Sequence, residues 1–303
     1  MSDWGELKVQ ENVPLSGFTT WKVGGPARWY AEPSASDVPL LLQVAQRLGV
    51  PVYFLGRGSN VLIPDEGVDG LVLHGWKSMG RIERIAENLV EAEAGVPMPR
   101  LSRFVADLGC GGYEFLIGIP GTVGGGVAMN AGLRVPMVRE ISDVLESVDV
   151  VEQGSGEVRR LGKEECDLQY RHSCFLEEGQ FILRARFELK DFSRSREEIR
   201  RLTAHHLEER RIKQPLSRQT AGSTFKQLSG GPATGWYIDK AGLKGTKVGG
   251  ALVSQKHANW IETEKGATAE DVRDLMKLVI ERVQDRYGVT LEPEVQFLGE
   301  QSL

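Results

Sequence analysis

The chain lacks the marks of several large protein classes. Its three cysteines, Cys110, Cys166 and Cys174, are odd in number and show none of the close paired spacings of zinc or dithiol redox sites. Reduced, structural thiols are expected, and no metal site. The start, from Met1 to Glu6, has no basic segment followed by an apolar run, and no later stretch approaches the roughly 20 apolar residues that span a bilayer. That pattern predicts a soluble cytoplasmic protein. Basic charge is not in excess, since 37 Lys and Arg stand against 42 Asp and Glu for a net charge of −5, so nothing favours a nucleic-acid partner. His205 and His206 are adjacent on a predicted helix and point in different directions, which is poor geometry for a shared metal. No repeat or disordered tail is present.

What is present is an ordinary globular composition over 303 residues, long enough for two or three units that each bury a core. Pro26 to Ala31 reads as a strand and Ser36 to Leu48 as a capped amphipathic helix stopped by Gly49. Short strands are expected at Val52 to Leu55, Val61 to Ile63 and Leu71 to Leu73. A hairpin from Arg81 to Ala94 precedes a helix near Pro99 to Leu108, and strands return at Val144 to Val151, Glu157 to Leu161 and Phe181 to Leu189. The charge-rich helix Arg196 to Ile212 marks a change of texture, so a boundary falls near residue 191. Beyond it, Thr268 caps a helix with Val272, Leu275, Met276, Val279, Ile280 and Val283 on one stripe, and Thr290 to Leu298 reads as a last strand.

Two glycine-rich segments carry the first chemical signal. Gly56-Arg57-Gly58-Ser59-Asn60 joins two strand-like runs and lacks a third spaced glycine, so it does not fit a Rossmann loop opening a helix. Its backbone can still approach a pyrophosphate closely, with Ser59 and Asn60 adding polar contacts; a tight turn is the competing interpretation. The second segment runs from Phe115 to Gly132 and is a poor helix and a poor strand by propensity, because each glycine costs roughly 1 kcal/mol against alanine in a helix. A large planar or phosphorylated ligand pressed against the backbone would account for it, with Thr122 and Asn130 as directional partners.

These segments recur with others in a recognisable order: Gly56, Gly58, Ser59 and Asn60; Ile119 to Gly125 with Met129 to Gly132; Tyr170, Arg171 and Ser173; Ala221 to Lys226; and Leu291 to Val295. The chain resembles the UDP-N-acetylenolpyruvoylglucosamine reductases, the MurB family, from about Thr19 to Gly299. The resemblance implies an α+β protein. Its two-subdomain FAD-binding unit of the vanillyl-alcohol-oxidase (PCMH) type would occupy residues 1–80 and 81–190, and a smaller α+β substrate-binding domain residues 191–303. The chain lacks the insertion that brings a clamping tyrosine, and so resembles the shorter second type.

The resemblance further implies noncovalent FAD reduced by NADPH, and reduction of the enolpyruvyl ether of a sugar nucleotide to the lactyl ether in peptidoglycan precursor synthesis. FAD contacts would come from Gly56, Arg57, Gly58, Ser59, Asn60, Val61, Ile119, Pro120, Gly121, Thr122, Gly124, Gly125, Asn130 and Ala131. His74 is singled out because relatives of this cofactor fold attach flavin covalently through histidine. Arg171 matches the family's carboxylate-binding arginine, Ser223 its general acid and Glu294 the carboxylate that shares a proton with the intermediate. Substrate contacts would include Tyr170, Lys226, Gln227 and His257.

Ordinary alternatives stand beside these roles. Arg171 also suits a surface ion pair, Lys226 a solvated chain, and Glu294 an exposed strand position with Glu292 two residues away on the same face. His257 and Asn259, on a predicted strand, suit either ligand contact or a structural pairing. An FAD-dependent sugar or hydroxy-acid oxidase is the alternative enzyme, and a noncatalytic flavin or sugar-nucleotide binder the alternative class. A monomer is the default expectation.

Overall fold

The structure, a computed structural model, describes residues 4–133, 138–176 and 179–299, so the first three residues of the chain's start lie outside the described residues. Strands β1 (Gln10–Pro14) and β2 (Pro26–Ala31) precede helix α1 (Val38–Leu48), followed by β3 (Val52–Leu55), β4 (Val61–Leu62) and β5 (Val68–His74). The hairpin β6 (Ile82–Ala86) and β7 (Leu89–Glu93) leads to α2 (Met98–Asp107), α3 (Val123–Ala128) and the short pair β8 (Gly132–Leu133) and β9 (Arg139–Glu140). Then come β10 (Leu145–Glu152), β11 (Val158–Gly162), β12 (Gln180–Glu188) and α4 (Arg196–Lys213). The order ends with β13 (Thr220–Ser223), α5 (Thr234–Lys240), β14 (Lys247–Val248), β15 (Ala251–Val253), β16 (Trp260–Thr263), α6 (Ala269–Tyr287) and β17 (Gln296–Phe297).

The chain forms two compact units that interleave in sequence. The first takes Met1–Gln10, Tyr30–Arg57 and Leu71–Arg210; the second takes Glu11–Trp29, Gly58–Gly70 and Arg211–Leu303.

In the first unit an antiparallel sheet runs β11-β10-β12-β7-β6. β12 is central because it pairs with β10 along one edge and β7 along the other, and its Ala185 and Phe187 are fully buried with Val90, Ala92, Val148 and Val150. β3 lies parallel to β5, from Val52↔Leu71 to Leu55↔His74. Helix α1 buries Leu41, Leu42, Val44 and Ala45 and stops at left-handed Gly49 (φ 65°), as its sequence predicts. It starts two residues later than Ser36. Ser34 and Asp37 bond to each other in the preceding turn, and Pro39 sits in the first helical turn.

In the second unit the sheet β13-β16-β15-β14 accompanies α6, whose stripe Val272, Leu275, Met276, Val279 and Val283 is buried in one core with Trp21, Phe225, Ile238 and Ile261. Each such aliphatic side chain contributes about 1.5–3 kcal/mol by leaving water. Ile280 is only partly buried. Thr268 caps α6 by accepting from Asp271 N–H at 3.0 Å, while Asp271 Oδ2 accepts from Thr268 N–H at 3.0 Å.

Three expectations are corrected. The glycine-rich run, a poor helix by propensity, is nevertheless helical over Val123–Ala128: a Cβ on Gly124 would meet Ala94 Cβ at 2.9 Å and one on Gly126 would meet Met98 Cε at 2.6 Å. Those glycines let the helix lie close to its neighbours, and packing overrides propensity. The region 290–298 is not one strand, but a bridge at Pro293 followed by the two residues of β17. Residues 254–259 form a turn, because Ser254 Oγ accepts from Lys256 N–H at 3.1 Å and His257 N–H at 3.4 Å, which replaces strand pairing.

Candidate active site

The first unit brings parts of both glycine-rich segments together. A Cβ built on Gly56 would lie 2.5 Å from Thr122 Oγ1, so only a glycine lets the β3 end approach Thr122 this closely. Thr122 itself is buried, and its carbonyl accepts from Gly126 N–H at 2.7 Å at the start of α3. Val123 and Gly124 N–H donate at 2.8 Å to the carbonyls of Val96 and Ala94. Gly125 is exposed on the same turn, and nothing but Thr122 Oγ1, at 3.8 Å, approaches its Cβ position. This bare backbone next to the Gly56–Thr122 contact fits close approach of a large cofactor.

Asn130, two residues before the end of the second segment, has φ 39° and is 1% exposed. Its side chain accepts from Ser142 N–H at 3.0 Å and donates to the Gln169 carbonyl and Glu140 carboxylate, each at 3.1 Å. The directional capacity expected to serve a ligand is therefore engaged within the chain. What Asn130 presents is its backbone: its carbonyl accepts from Arg171 Nη1 at 3.4 Å, and the Gly132 carbonyl accepts from Nη2 at 3.1 Å. Arg171 also lies 4.8 Å from the centre of the Tyr170 ring and has φ 56°. Two non-glycine residues in the left-handed region thus meet at one guanidinium. Such strain persists only where surrounding contacts enforce it.

The second unit joins the remaining candidates. Glu294 N–H donates to the Thr224 carbonyl at 2.8 Å, and the Glu294 carbonyl accepts from Asn60 Nδ2 at 3.1 Å. β17 pairs in parallel with β4, placing Gln296 opposite Val61. Asn60, Glu294 and the residue after Ser223 are consequently linked through three chain segments. Gly58 is left-handed (φ 61°), and its carbonyl accepts from Thr20 N–H at 3.0 Å; a Cβ there would meet the Phe18 carbonyl oxygen at 2.3 Å. Ser59 and Glu294 are both partly exposed, as is Ser223.

Glu292 separates from Glu294 in its surroundings: its side chain is 72% exposed and sits 3.5 Å from Lys226 Nζ. An exposed pair of this kind contributes about 0–1 kcal/mol, so Glu292 holds Lys226 only weakly. Gln227 Oε1 accepts from Thr234 N–H at 2.9 Å. His257 Nδ1 accepts from Asn259 N–H at 3.3 Å, which leaves the proton of the neutral ring on Nε2, and the ring lies 5.9 Å from that of Trp260. The Asn259 side chain is committed to the Phe225 backbone.

Two arrangements were not legible in the sequence: the partners of His74, and the placement of Arg210. His74, 2% exposed at the end of β5, pairs through Nδ1 with Tyr30 Oη at 2.6 Å, and Tyr30 Oη donates to Glu32 at 2.7 Å. Burial lowers the His74 pKa, against the opposing pull of Glu32 and the Gly56 carbonyl, and burial raises that of Tyr30 with help from Glu32. The cluster adjoins the first glycine loop at Gly56; the sequence singled out His74 but not its pairing with Tyr30 and Glu32. The Arg210 side chain crosses Gly118, where a Cβ would lie 2.4 Å from its Cδ, and burial brings its pKa down to about 10. It stays charged at neutral pH beside the second glycine-rich segment. In sequence it is one of several arginines on a charged helix.

Cys110 and Cys166 are buried, and burial raises both thiol pKa values, that of Cys166 to about 12. No helix among the described residues is long and apolar enough to cross a membrane.

Comparison with known proteins gives a consistent result. Residues 30–162 match the FAD binding domain model, and residues 214–298 match the model for the C-terminal domain of UDP-N-acetylenolpyruvoylglucosamine reductase. The chain is 41% identical to the UDP-N-acetylenolpyruvoylglucosamine reductase of Parasynechococcus marenigrum, covering 97% of each chain. It is 39% identical to that of Agathobacter rectalis over 97% of this chain and 95% of the relative. A crystal structure of UDP-N-acetylenolpyruvylglucosamine reductase (MurB) from Thermus caldophilus superposes with a TM-score of 0.80 at 35% identity, covering 96% of this chain and 99% of that one.

Proposed function

The chain belongs to the UDP-N-acetylenolpyruvoylglucosamine reductase family, and from that membership we propose that it reduces UDP-N-acetylglucosamine enolpyruvate to UDP-N-acetylmuramate in peptidoglycan precursor synthesis. It is an FAD-dependent oxidoreductase with NADPH as reductant. The observation that carries the proposal is the linkage of Asn60, Glu294 and Thr224 in one unit, which brings a cofactor-loop residue, a carboxylate and the neighbour of Ser223 together across the chain.

FAD, when bound, supplies hydride transfer from NADPH to the terminal alkene carbon of the substrate. The residues proposed to hold it are Gly56 to Val61, Ile119 to Thr122, Gly124, Gly125, Asn130 and Ala131. The contact of Gly56 with Thr122 and the open face at Gly125 support this set. We assign the cofactor as noncovalent. The burial of His74 and its contact with Tyr30 give that ring a structural occupation.

Arg171 is proposed to bind the substrate carboxylate, for which a planar, permanently charged fork is suited. Its bonds to the Asn130 and Gly132 carbonyls support an oriented guanidinium. Hydride arrival at the terminal carbon leaves negative charge delocalised into that carboxylate, which Arg171 offsets. Ser223 then delivers its hydroxyl proton to the adjacent carbon. A serine is a weak acid, and it acts here because the carbon it protonates is strongly basic. Glu294 shares a proton with the charged intermediate, a role that requires a raised affinity for protons beside the substrate. Lys226 is proposed to meet a substrate phosphate or to stabilise the Ser223 oxygen, with Tyr170, Gln227 and His257 as further substrate contacts.

The division into cofactor subdomains 1–80 and 81–190 and a substrate domain 191–303 is part of the same proposal, as are a cytoplasmic location and a monomeric state. Mass spectrometry of the product tests the function. Reduction adds two hydrogens, and in heavy water deuterium enters at the carbon next to the carboxylate. Hydrogen peroxide release without NADPH consumption would instead identify the oxidase alternative.

A further inference from the structure

We infer that Asn259 is a positioning residue for the proposed proton donor Ser223, an inference that rests on the reductase reading above. Asn259 is 0% exposed. Its Oδ1 accepts from Phe225 N–H at 3.0 Å and its Nδ2 donates to the Phe225 carbonyl at 2.8 Å, a cyclic pairing of one side-chain amide with one residue's backbone. Its own carbonyl accepts from Thr224 N–H at 2.8 Å. Three hydrogen bonds from one residue therefore hold the two residues that follow Ser223.

The local strand does not supply this constraint. β13 pairs with β16 only at Thr220↔Glu262 and Ser223↔Trp260, with an irregularity between them, and Gly222 is left-handed at φ 84°. Such a bulge re-aims a side chain but leaves the ladder broken. The Thr224 side chain does not brace the segment either, since its buried Oγ1 has no hydrogen-bond partner among the described residues. The Asn259 clamp closes the gap. It also reaches Glu294, because the Thr224 carbonyl that accepts from Glu294 N–H belongs to the clamped segment. One buried amide thus registers the proposed donor against the proposed carboxylate.

Only asparagine fits this pairing. Aspartate of the same size keeps an acceptor for Phe225 N–H but has no donor for its carbonyl, and alanine loses both bonds. Proton delivery requires the donor within hydrogen-bond reach of the accepting carbon. A misplacement of about 1 Å costs on the order of 100-fold in rate.

The test uses the full-length FAD-loaded protein as wild type, Asn259→Asp and Asn259→Ala, with the two half-reactions followed separately by flavin absorbance without oxygen. NADPH bleaching is expected within about twofold of wild type, while recolouring by UDP-N-acetylglucosamine enolpyruvate falls about 10- to 100-fold. The substrate concentration for half-saturation changes little, and the solvent deuterium isotope effect on recolouring rises. Asn259→Asp preserves side-chain volume, so it carries the test if the alanine variant does not fold. Recolouring within twofold of wild type overturns the proposal, and so does an equal fall in both half-reactions, which marks a general structural role. A wild-type protein that bleaches but does not recolour removes the reductase reading and this inference with it; wild-type recolouring with unimpaired variants removes this inference alone.

Discussion

Replacing Gly125 by alanine separates what this glycine costs the fold from what it does for the cofactor. Gly125 lies in the first turn of α3 and is exposed, and the space around its Cβ position is open apart from Thr122 Oγ1 at 3.8 Å. For the chain alone the change is favourable, since alanine exceeds glycine in a helix by up to about 1 kcal/mol. In a protein of this size that raises the melting temperature by up to about 1–2 °C. If the bare backbone is there for FAD, the added methyl group sits where the cofactor must pass. Overpacking of this kind costs about 1–3 kcal/mol, equivalent to roughly 5- to 150-fold in Kd. Melting of the apoprotein and FAD titration by flavin fluorescence measure the two effects independently. We expect an unchanged or higher apoprotein melting temperature together with FAD bound at least about fivefold more weakly. An FAD affinity within twofold of wild type would refute the cofactor argument; a destabilised apoprotein would refute the packing argument.

Other consequences follow from the same contacts. Ser223→Ala should keep NADPH bleaching of the flavin and lose most of the enolpyruvyl reduction, read as separate half-reactions; unchanged recolouring would remove Ser223 as donor. Asn130→Gly should lower stability by about 2–3 kcal/mol through loss of buried hydrogen bonds, and Asn130→Ala by about 1 kcal/mol more, because alanine is strained at φ 39°. Denaturant melts of the two variants give the difference directly. Burial opposes ionisation of Asp149, but hydrogen bonds and charge from Arg186 and Arg160 outweigh it and hold its pKa at about 2. The folded value lies below the unfolded one, so this contribution, about 2 kcal/mol, is present above about pH 4 and is lost as pH falls through about 2. Asp149→Asn should therefore be less stable than wild type at pH 7, with the gap narrowing below pH 4 in acid unfolding.

Local chemistry made much of the fold legible. The Thr268 cap and the apolar stripe behind it predicted α6, and Gly49 marked the end of α1, because caps and periodicity act within a few residues. What escaped were elements decided by distant partners. Three successive glycines form a helix in α3 because Ala94 and Met98 require the close approach, which no window of sequence contains. Residues 254–259 turn through the Ser254 hydroxyl, although their composition suits a strand. At the proposed site, the resemblance pointed to Arg171, Ser223 and Glu294. The supports behind them, Asn130 under the guanidinium and Asn259 behind Ser223, depend on pairings across 41 and 34 residues.

The most direct test of the central claim is anaerobic stopped-flow absorbance of the purified protein, mixed first with NADPH and then with UDP-N-acetylglucosamine enolpyruvate. Loss of the oxidised flavin band is expected on the first addition and its return on the second. Bleaching without return would contradict the substrate assignment, and a protein that carries no flavin would contradict the account as a whole.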